Sequence, residues 1–374
     1  MCDAGRPATT RRGWIPRCVL PGLVFALWAL SCAPGFDAVS KVNTLRVIAL
    51  EVDIPYALPG ETVRFSLTVA DALEDSPRPL QAVWIGGCTN PNGDQYFLCF
   101  DQLAAQFQAL GGGGGDAPPD PSLLKPDVIT PERSGEPRTS FFDLTIPDDI
   151  VTRRPVPEDE EAARYGIAFV FFAVCAGTLR PTELVSLGGE VPEIPLECVD
   201  DAGVVQGPDS FTVGYTQVYV FEDERRNASP PIEALTLDGA AVEDLEADAD
   251  DLPVVARCDV SAEVRRRAGC GEEPVAACTK YELNAVIPDV AEDEPGAVGA
   301  EGQQLRETVW VSYLADGGDL DPSLKLVSDA SLGFRDDFTT EWTPPATPGV
   351  YTIWAVVRDQ RGGSDLVRRF VRVE

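Results

Sequence analysis

Apolar and polar residues alternate with a period of two along much of the chain. Over 61–69, Val63, Phe65, Leu67 and Val69 alternate with Thr62, Arg64, Ser66 and Thr68, which predicts a strand with one buried face. Pro59-Gly60 before it is a turn dipeptide. Further strands are predicted over 45–52, 80–85, 96–100, 139–146, 167–175 and 211–221. Short strands divided by Pro, Gly and Asp turns predict an antiparallel sandwich. Between them lie long inserts: a short helix is predicted over 101–110, then a low-complexity run starting at Gly111–Gly115, and later the stretch 176–210.

Composition shifts at 225–231 (RRNASPP), where a domain boundary is expected. Strands resume over 232–237, 253–259, 280–287, 305–314, 324–328, 334–342, 350–358 and 366–373. The last two, joined by Asp359-Gln360-Arg361-Gly362-Gly363, form the clearest hairpin. Trp84, Trp310, Trp342 and Trp354 lie in strand-like runs, and sandwich cores are where such aromatics belong. Trp310 and Trp354, each mid-strand, are the expected core tryptophans.

Charge narrows the function. The 374 residues carry 30 basic and 61 acidic side chains, a net −31, and no histidine. A nucleic-acid partner is excluded, because its phosphates would be repelled. Every site that needs imidazole is excluded with it: Ser-His-Asp triads, Cys-His pairs and His-ligated zinc.

The amino terminus has its own pattern. Arg6, Arg11, Arg12 and Arg17 precede a thirteen-residue apolar run, Cys18 to Leu30, which falls short of the roughly 20 residues a membrane span needs. The run ends in Ala29-Leu30-Ser31-Cys32. This ending resembles the lipobox of bacterial lipoproteins, with Ala29 where that family more often has leucine. The resemblance implies cleavage before Cys32 and a diacylglycerol thioether on its sulfur, so residues 1–31 are expected to be a signal peptide and 32–42 a lipidated tether. Ordinary signal cleavage near Ser31-Cys32-Ala33 and an uncleaved anchor are the alternatives. Without residues 1–31 the chain holds 26 basic and 60 acidic side chains, a net −34. Ala33 is not the aspartate of the inner-membrane retention signal, which favours the outer membrane.

Seven cysteines follow Cys32, an odd count that leaves one thiol free. Their spacing predicts local bridges Cys88–Cys99 and Cys175–Cys198, and one more pair among Cys258, Cys270 and Cys278. CxxC-type metal spacing is absent. Acidic residues cluster at Glu243, Asp244, Glu246, Asp248, Asp250 and Asp251, and again at Asp316, Asp319 and Asp321 beside Gly317-Gly318. Hard cations such as Ca²⁺ take oxygen ligands from loops of this kind, yet neither run has the EF-hand register. A solvated face is the competing reading. Carboxylate pairs for a hydrolase are uninformative among so many acids, and no G-x-S-x-G elbow or Asp-Thr/Ser-Gly motif accompanies them.

The stretch 344–359 (PPATPGVYTIWAVVRD) with Arg361-Gly362-Gly363 resembles the closing strands of bacterial Ig-like and PKD-like domains, and 232–239 resembles their first strand. The expectation is an all-β chain of two tandem antiparallel Ig-like sandwiches, over 43–224 and 228–374, with long loop inserts. Its expected role is a lipid-anchored, non-enzymatic envelope protein that binds a protein or polysaccharide partner or serves structurally. A Ca²⁺-dependent adhesion or carbohydrate-binding protein and a carboxylate-based hydrolase are the rival readings.

Overall fold

The computed structural model describes residues 38–73, 77–100, 102–103, 126–130, 137–156, 163–181, 196–223, 225–267 and 274–374. Residues 1–37, with the expected signal peptide and Cys32, the glycine run and Cys270 lie outside the described residues. The chain is nearly all β.

Strands β1 (Leu45–Val52), β3 (Thr62–Asp71) and β6 (Arg138–Thr145) form a sheet in the order β1-β3-β6. Facing it are β2 (Tyr56–Ala57), β4 (Leu80–Thr89), β5 (Asp127–Ile129), β7 (Tyr165–Cys175) and β10 (Phe211–Phe221), ordered β2-β10-β7-β4-β5. Strands β8 (Thr178–Pro181) and β9 (Leu196–Val199) form a small hairpin of their own. The second sandwich has one sheet of β11 (Ala234–Leu237), β12 (Ala240–Ala241), β14 (Tyr281–Val286), β18 (Asp319–Asp321) and β21 (Thr340–Thr343), ordered β12-β11-β14-β21-β18. Its other sheet contains β13 (Val254–Val255), β17 (Val309–Ala315), β19 (Leu324–Asp329), β20 (Gly333–Phe334), β22 (Gly349–Asp359) and β23 (Ser364–Val373), ordered β13-β23-β22-β17-β19-β20. A separate hairpin, β15 (Asp293–Val298) with β16 (Gln304–Arg306), lies outside both sheets. Strand pairing is antiparallel except for two short edge pairs, β2 with β10 and β13 with β23.

Residues 96–100 do not form the expected strand. Tyr96–Cys99 is a 3-10 turn that follows the turn-rich Pro91-Asn92-Gly93-Asp94. Four apolar residues are too few for periodicity to separate a strand from a turn. A bulge explains how this turn is held. Pairing of β4 with β7 shifts register between Ile85 and Cys88, at Gly86-Gly87, where Gly87 has φ 99°. The shift carries Cys88 to the same face as Val83 and Ile85, where its sulfur meets Cys99.

Strand β7 is apolar on both faces. Ala168 and Val170 fill the core between the two sheets, whereas Ile167, Phe169, Phe171 and Ala173 face outward under the inserts. Two disulfides pin those inserts, Cys88–Cys99 and Cys175–Cys198. The third bridge joins Cys258 to Cys278.

Strand β22 is two-faced as well. Ile353, Ala355 and Val357 join Trp342 and Tyr313 in the second core, where the Trp342 indole donates to Gly317 O at 2.9 Å. Trp354 and Val356 point the other way, into a seam with Val42, Ile48, Ala49 and Ala70 of the first sandwich. Trp354 is therefore fully buried between the sandwiches, not inside one of them. Trp310 corrects the expectation further: it shares the outward parity of Leu314 and is only half-buried, while Trp342 takes the core.

Polar bonds close the seam. Ser364 Oγ donates to Leu50 O at 3.0 Å, and Arg358 Nη2 to Ile48 O at 3.2 Å, so a free edge of β1 is capped. Residues 40–42 dock rather than hang as a tether: Val42 N donates to Ala315 O at 2.8 Å and Ala315 N to Ser40 O at 3.0 Å. The expected linker is held at both ends. Arg226 bonds Glu61 at 2.7 Å, Asn227 Nδ2 donates to Asp359 at 2.8 Å, and Ile232 N donates to Asp365 at 2.7 Å.

Two outcomes follow for stability. Trp354→Ala removes about 3–5 kcal/mol and splits one calorimetric transition into two, because the seam loses its largest apolar side chain while each core stays intact. A Cys88→Ala/Cys99→Ala variant loses about 2–4 kcal/mol, measured by denaturant titration against the parent.

Candidate functional site

The first sandwich carries a tyrosine-rich outer face. Odd-numbered residues of β10 point outward and even-numbered ones inward: Val218 and Val220 enter the core, while Phe211 and Tyr219 pack on the outer cluster. Tyr165, Phe169 and Phe171 of β7 lie opposite Phe221, Gln217 and Tyr215 in register and share this face. Tyr56 of β2 and Tyr96 of the 3-10 turn complete it, so five of the eight tyrosines in the chain gather here.

The rings are fixed by one another. Tyr96 and Tyr215 stack with centroids 4.1 Å apart and planes 19° from parallel. Tyr215 sits against Phe169 and Phe171 at 6.2 and 6.0 Å, and Tyr219 against Tyr165 and Tyr56 at 5.6 and 6.1 Å. At the Tyr96 end the face is open to solvent: Phe97, Val213 and Tyr215 are 49%, 45% and 44% exposed.

Polar groups edge these rings. The Tyr165 hydroxyl donates to Asp94, which also takes an ion pair from Arg154 at 2.5 Å. Burial alone would raise Asp94, but the bonds from Tyr165 and Arg154 hold its carboxyl below the usual range. Burial, helped by the Asp94 charge, raises Tyr165 and Tyr219, and their phenols stay protonated. Gln217 Nε2 donates to the Tyr219 oxygen at 3.0 Å. Arg154 and Arg225 lie over the rings of Tyr165 and Phe221 at 4.7 and 4.5 Å.

Where this face meets the second sandwich, a buried charge cluster begins. Arg361, in the β22–β23 turn, sits 6.0 Å from the Tyr56 ring centroid. Its guanidinium reaches Glu292 at 2.7 Å, Glu294 at 2.9 Å and Glu307 at 3.4 Å. Burial opposes the charge of Arg361, yet the bonds from Glu292 and Glu294 prevail and keep it firmly protonated. Asp359 accepts from the backbone N–H groups of Arg361 and Gly363 at 2.9 and 2.7 Å, which shapes the turn. Glu307 is only 3% exposed; burial first, and then the Asp359 charge, push it up to about 7. Tyr56 is pushed up to about 12, chiefly by burial.

The acids singled out for a cation are spent separately. Asp316 Oδ1 accepts from Thr352 N at 2.8 Å, Asp319 pairs with Arg265 at 2.5 Å, and Asp321 lies exposed at the end of the short strand β18. Asp319 and Asp321 share one face of β18, with Asp316 across the Gly317-Gly318 turn, and among the described residues no three acids or cysteines are placed to hold a metal. The run 243–251 is a strap. Leu245, Ala247 and Ala249 pack on Phe370 and Val350, closing the outer face of the second sandwich, and Glu246, Asp248 and Asp250 alternate with them. Its backbone is held by Arg372, which donates to Ala249 O at 2.9 Å.

A cleft of about 450 Å³ opens where the sandwiches part, lined by Thr68 and Thr139 on one side and Trp354, Asp365, Arg368 and Arg369 on the other. A second of similar volume is lined by Glu282, Asp321 and Glu341, of which Glu341 is held by Lys280 at 2.7 Å. Glu307, whose carboxyl stands far above the usual range, lines neither. Among the described residues no helix is long and apolar enough to cross a membrane.

Sequence reasoning missed the tyrosine face. The signal was present in the odd-numbered row Phe211, Val213, Tyr215, Tyr219 and Phe221, opposite the doubly apolar run of β7.

No family model matches the chain, and no curated protein does. Among solved structures, the fibronectin(III)-like modules of Clostridium thermocellum CbhA align at 12% identity over 87% of this chain and 93% of theirs, TM-score 0.20. The D0-D1 domain of intimin aligns at 10% identity over 88% of this chain and 96% of its own, TM-score 0.17. Escherichia coli alpha-2-macroglobulin aligns at 11% identity over 91% of this chain, TM-score 0.19, and the chain spans only 22% of its length. Superpositions at these scores carry no weight on function, and the fold is read from the sheets themselves.

Glu307 makes stability pH-dependent. Its folded value of about 7 lies above the ordinary 4.5, so between those values the folded chain keeps a proton that the unfolded chain releases. Stability is highest below pH 4.5 on this account and falls as pH rises through about 7, by roughly 2–3 kcal/mol. Glu307→Gln flattens that slope and raises the melting temperature at pH 8 relative to the parent, read by calorimetry across the range.

Proposed function

We propose that the chain is a lipid-anchored binding protein of the bacterial cell envelope, held to the outer membrane through Cys32, with no catalytic role. Two fused sandwiches form the body, and the tyrosine-rich face of the first is the binding surface. The observation that carries this reading is the exposed end of that face. Phe97, Tyr96, Tyr215 and Val213 lie together on a frame that a disulfide and a full-length strand pair keep rigid. Rigid aromatic side chains with polar tips lose little conformational entropy on binding, and they are enriched where proteins make contact.

Anchoring rests on the run Ala29-Leu30-Ser31-Cys32 at the end of a short apolar segment. Each buried CH₂ contributes about 0.8 kcal/mol, so two or more acyl chains hold the body stably to a bilayer. The disulfides suit an oxidising compartment. The Cys32→Ser variant should move from the detergent phase to the aqueous phase in a phase-partition assay. An unchanged partition rejects the anchor, and the binding surface is then judged on its own test.

A further inference from the structure

We infer that the exposed end of the tyrosine face binds an uncharged polysaccharide by ring stacking, without a metal ion. This rests on the reading of that face as the binding surface and names the ligand class it takes.

Local charge is the first argument. The chain as a whole is at −31, but the cations along this face are already matched: Arg154 with Asp94 at 2.5 Å, Arg225 with Asp223 at 2.9 Å and Arg361 with Glu292 at 2.7 Å. The surrounding field repels an acidic polymer or a second copy of the chain. A basic protein would be drawn to the acidic strap over 243–251 and not to this face. An uncharged ligand is the class for which that field is indifferent.

Ring chemistry is the second. Phe97 and Tyr215 present large apolar surfaces, 49% and 44% exposed, on side chains locked by their neighbours. A pyranose ring has an apolar C–H side that lies against such rings, with hydroxyls at its edge. The polar groups beside the rings match those hydroxyls. Tyr165 and Tyr219 are phenols that burial keeps protonated, Gln217 is an amide, and Asp94 is a carboxylate held charged. Bonded among themselves, Tyr165 to Asp94 and Gln217 to Tyr219, they keep further acceptor capacity for sugar hydroxyls along the same face.

Metal independence is the third. Asp94, the carboxylate at these rings, is engaged by Tyr165 and Arg154, and stacking of a sugar on an aromatic ring needs no cation.

The test is affinity electrophoresis of the full chain in native gels containing hydroxyethylcellulose, galactomannan, dextran or polygalacturonate. At least one of the three neutral polymers should retard the parent, equally with EDTA and with 0.5 M NaCl. Tyr215→Ala and Phe97→Ser should each weaken retardation at least tenfold while keeping the parent's melting temperature within a few degrees. Phe97 lies on the disulfide-pinned turn and not in a strand, so its variant stands if Tyr215→Ala misfolds. Retardation by polygalacturonate alone, loss with EDTA, or no retardation in any neutral gel overturns the inference. If none is seen but a protein partner is captured by the parent and released by Tyr215→Ala, the face is a binding surface and only the polysaccharide assignment falls.

Discussion

A sheet that is apolar on both faces cannot leave either one in water, and this chain has two of them. Strand β7 buries Gly166 to Cys175 without interruption, and β22 buries Thr352 to Val357. Each sheet finds one cover inside its own sandwich and must find the other elsewhere. For the second sandwich the other cover is the first sandwich plus the strap over 243–251, which is why Trp354 ends in a seam. For the first, it is the pair of inserts closed by Cys88–Cys99 and Cys175–Cys198. Val213 and Tyr215 stay exposed on this face, and their patch is the binding surface proposed above.

Strand positions were legible because alternation is a one-dimensional signal. The stretches 45–52 and 211–221 coincide with β1 and β10 residue for residue. What lay beyond reach was parity. Bulges at Ile48 and at Gly86-Gly87 each reverse which residues face inward, so Ile48 is sent to the seam and Cys88 to the outer face. Trp310 misses its expected place in the core for a related reason: mid-strand position says nothing about which face a residue takes. The hairpin β15–β16 is an acidic, Gly- and Pro-containing stretch, tied to the body by long-range bonds such as Arg361 and Gln360 to Glu294 and Arg306 N to Ala330 O. In sequence the acid run 243–251 offers either cation ligands or a solvated face. Leu245, Ala247 and Ala249 hold it down by the same period-two rule that marks the strands.

The boundary at 225–231 is a shift in composition, not a flexible joint. Asn227 bridges Asp359 and Arg361, and Arg226 reaches back to Glu61. Arg361 is therefore a hub for the linker, the β15–β16 hairpin and the Tyr56 ring of the first sandwich. Removing such charges from water is costly, and the raised value of Glu307 records that cost. The converging carboxylates all belong to the second sandwich, so the cluster fixes the β22–β23 turn, which in turn meets the linker at Asn227 and the first sandwich at the Tyr56 ring.

Fixed geometry matters to the binding role proposed above. Weak contacts with a repeating ligand accumulate only when the contacting rings keep their spacing, since each freely moving side chain adds an ordering cost at the moment of binding. Here the spacing comes from register: Tyr215 and Tyr219 lie on one strand, paired along its whole length to β7, and Tyr96 is locked onto Tyr215 from a disulfide-closed turn. The negative charge of the body complements this arrangement. It keeps copies of the chain apart, and along the proposed binding face Arg154 and Arg225 already have their carboxylates. The rigidity that the proposed binding relies on traces to strands whose second face needed a cover.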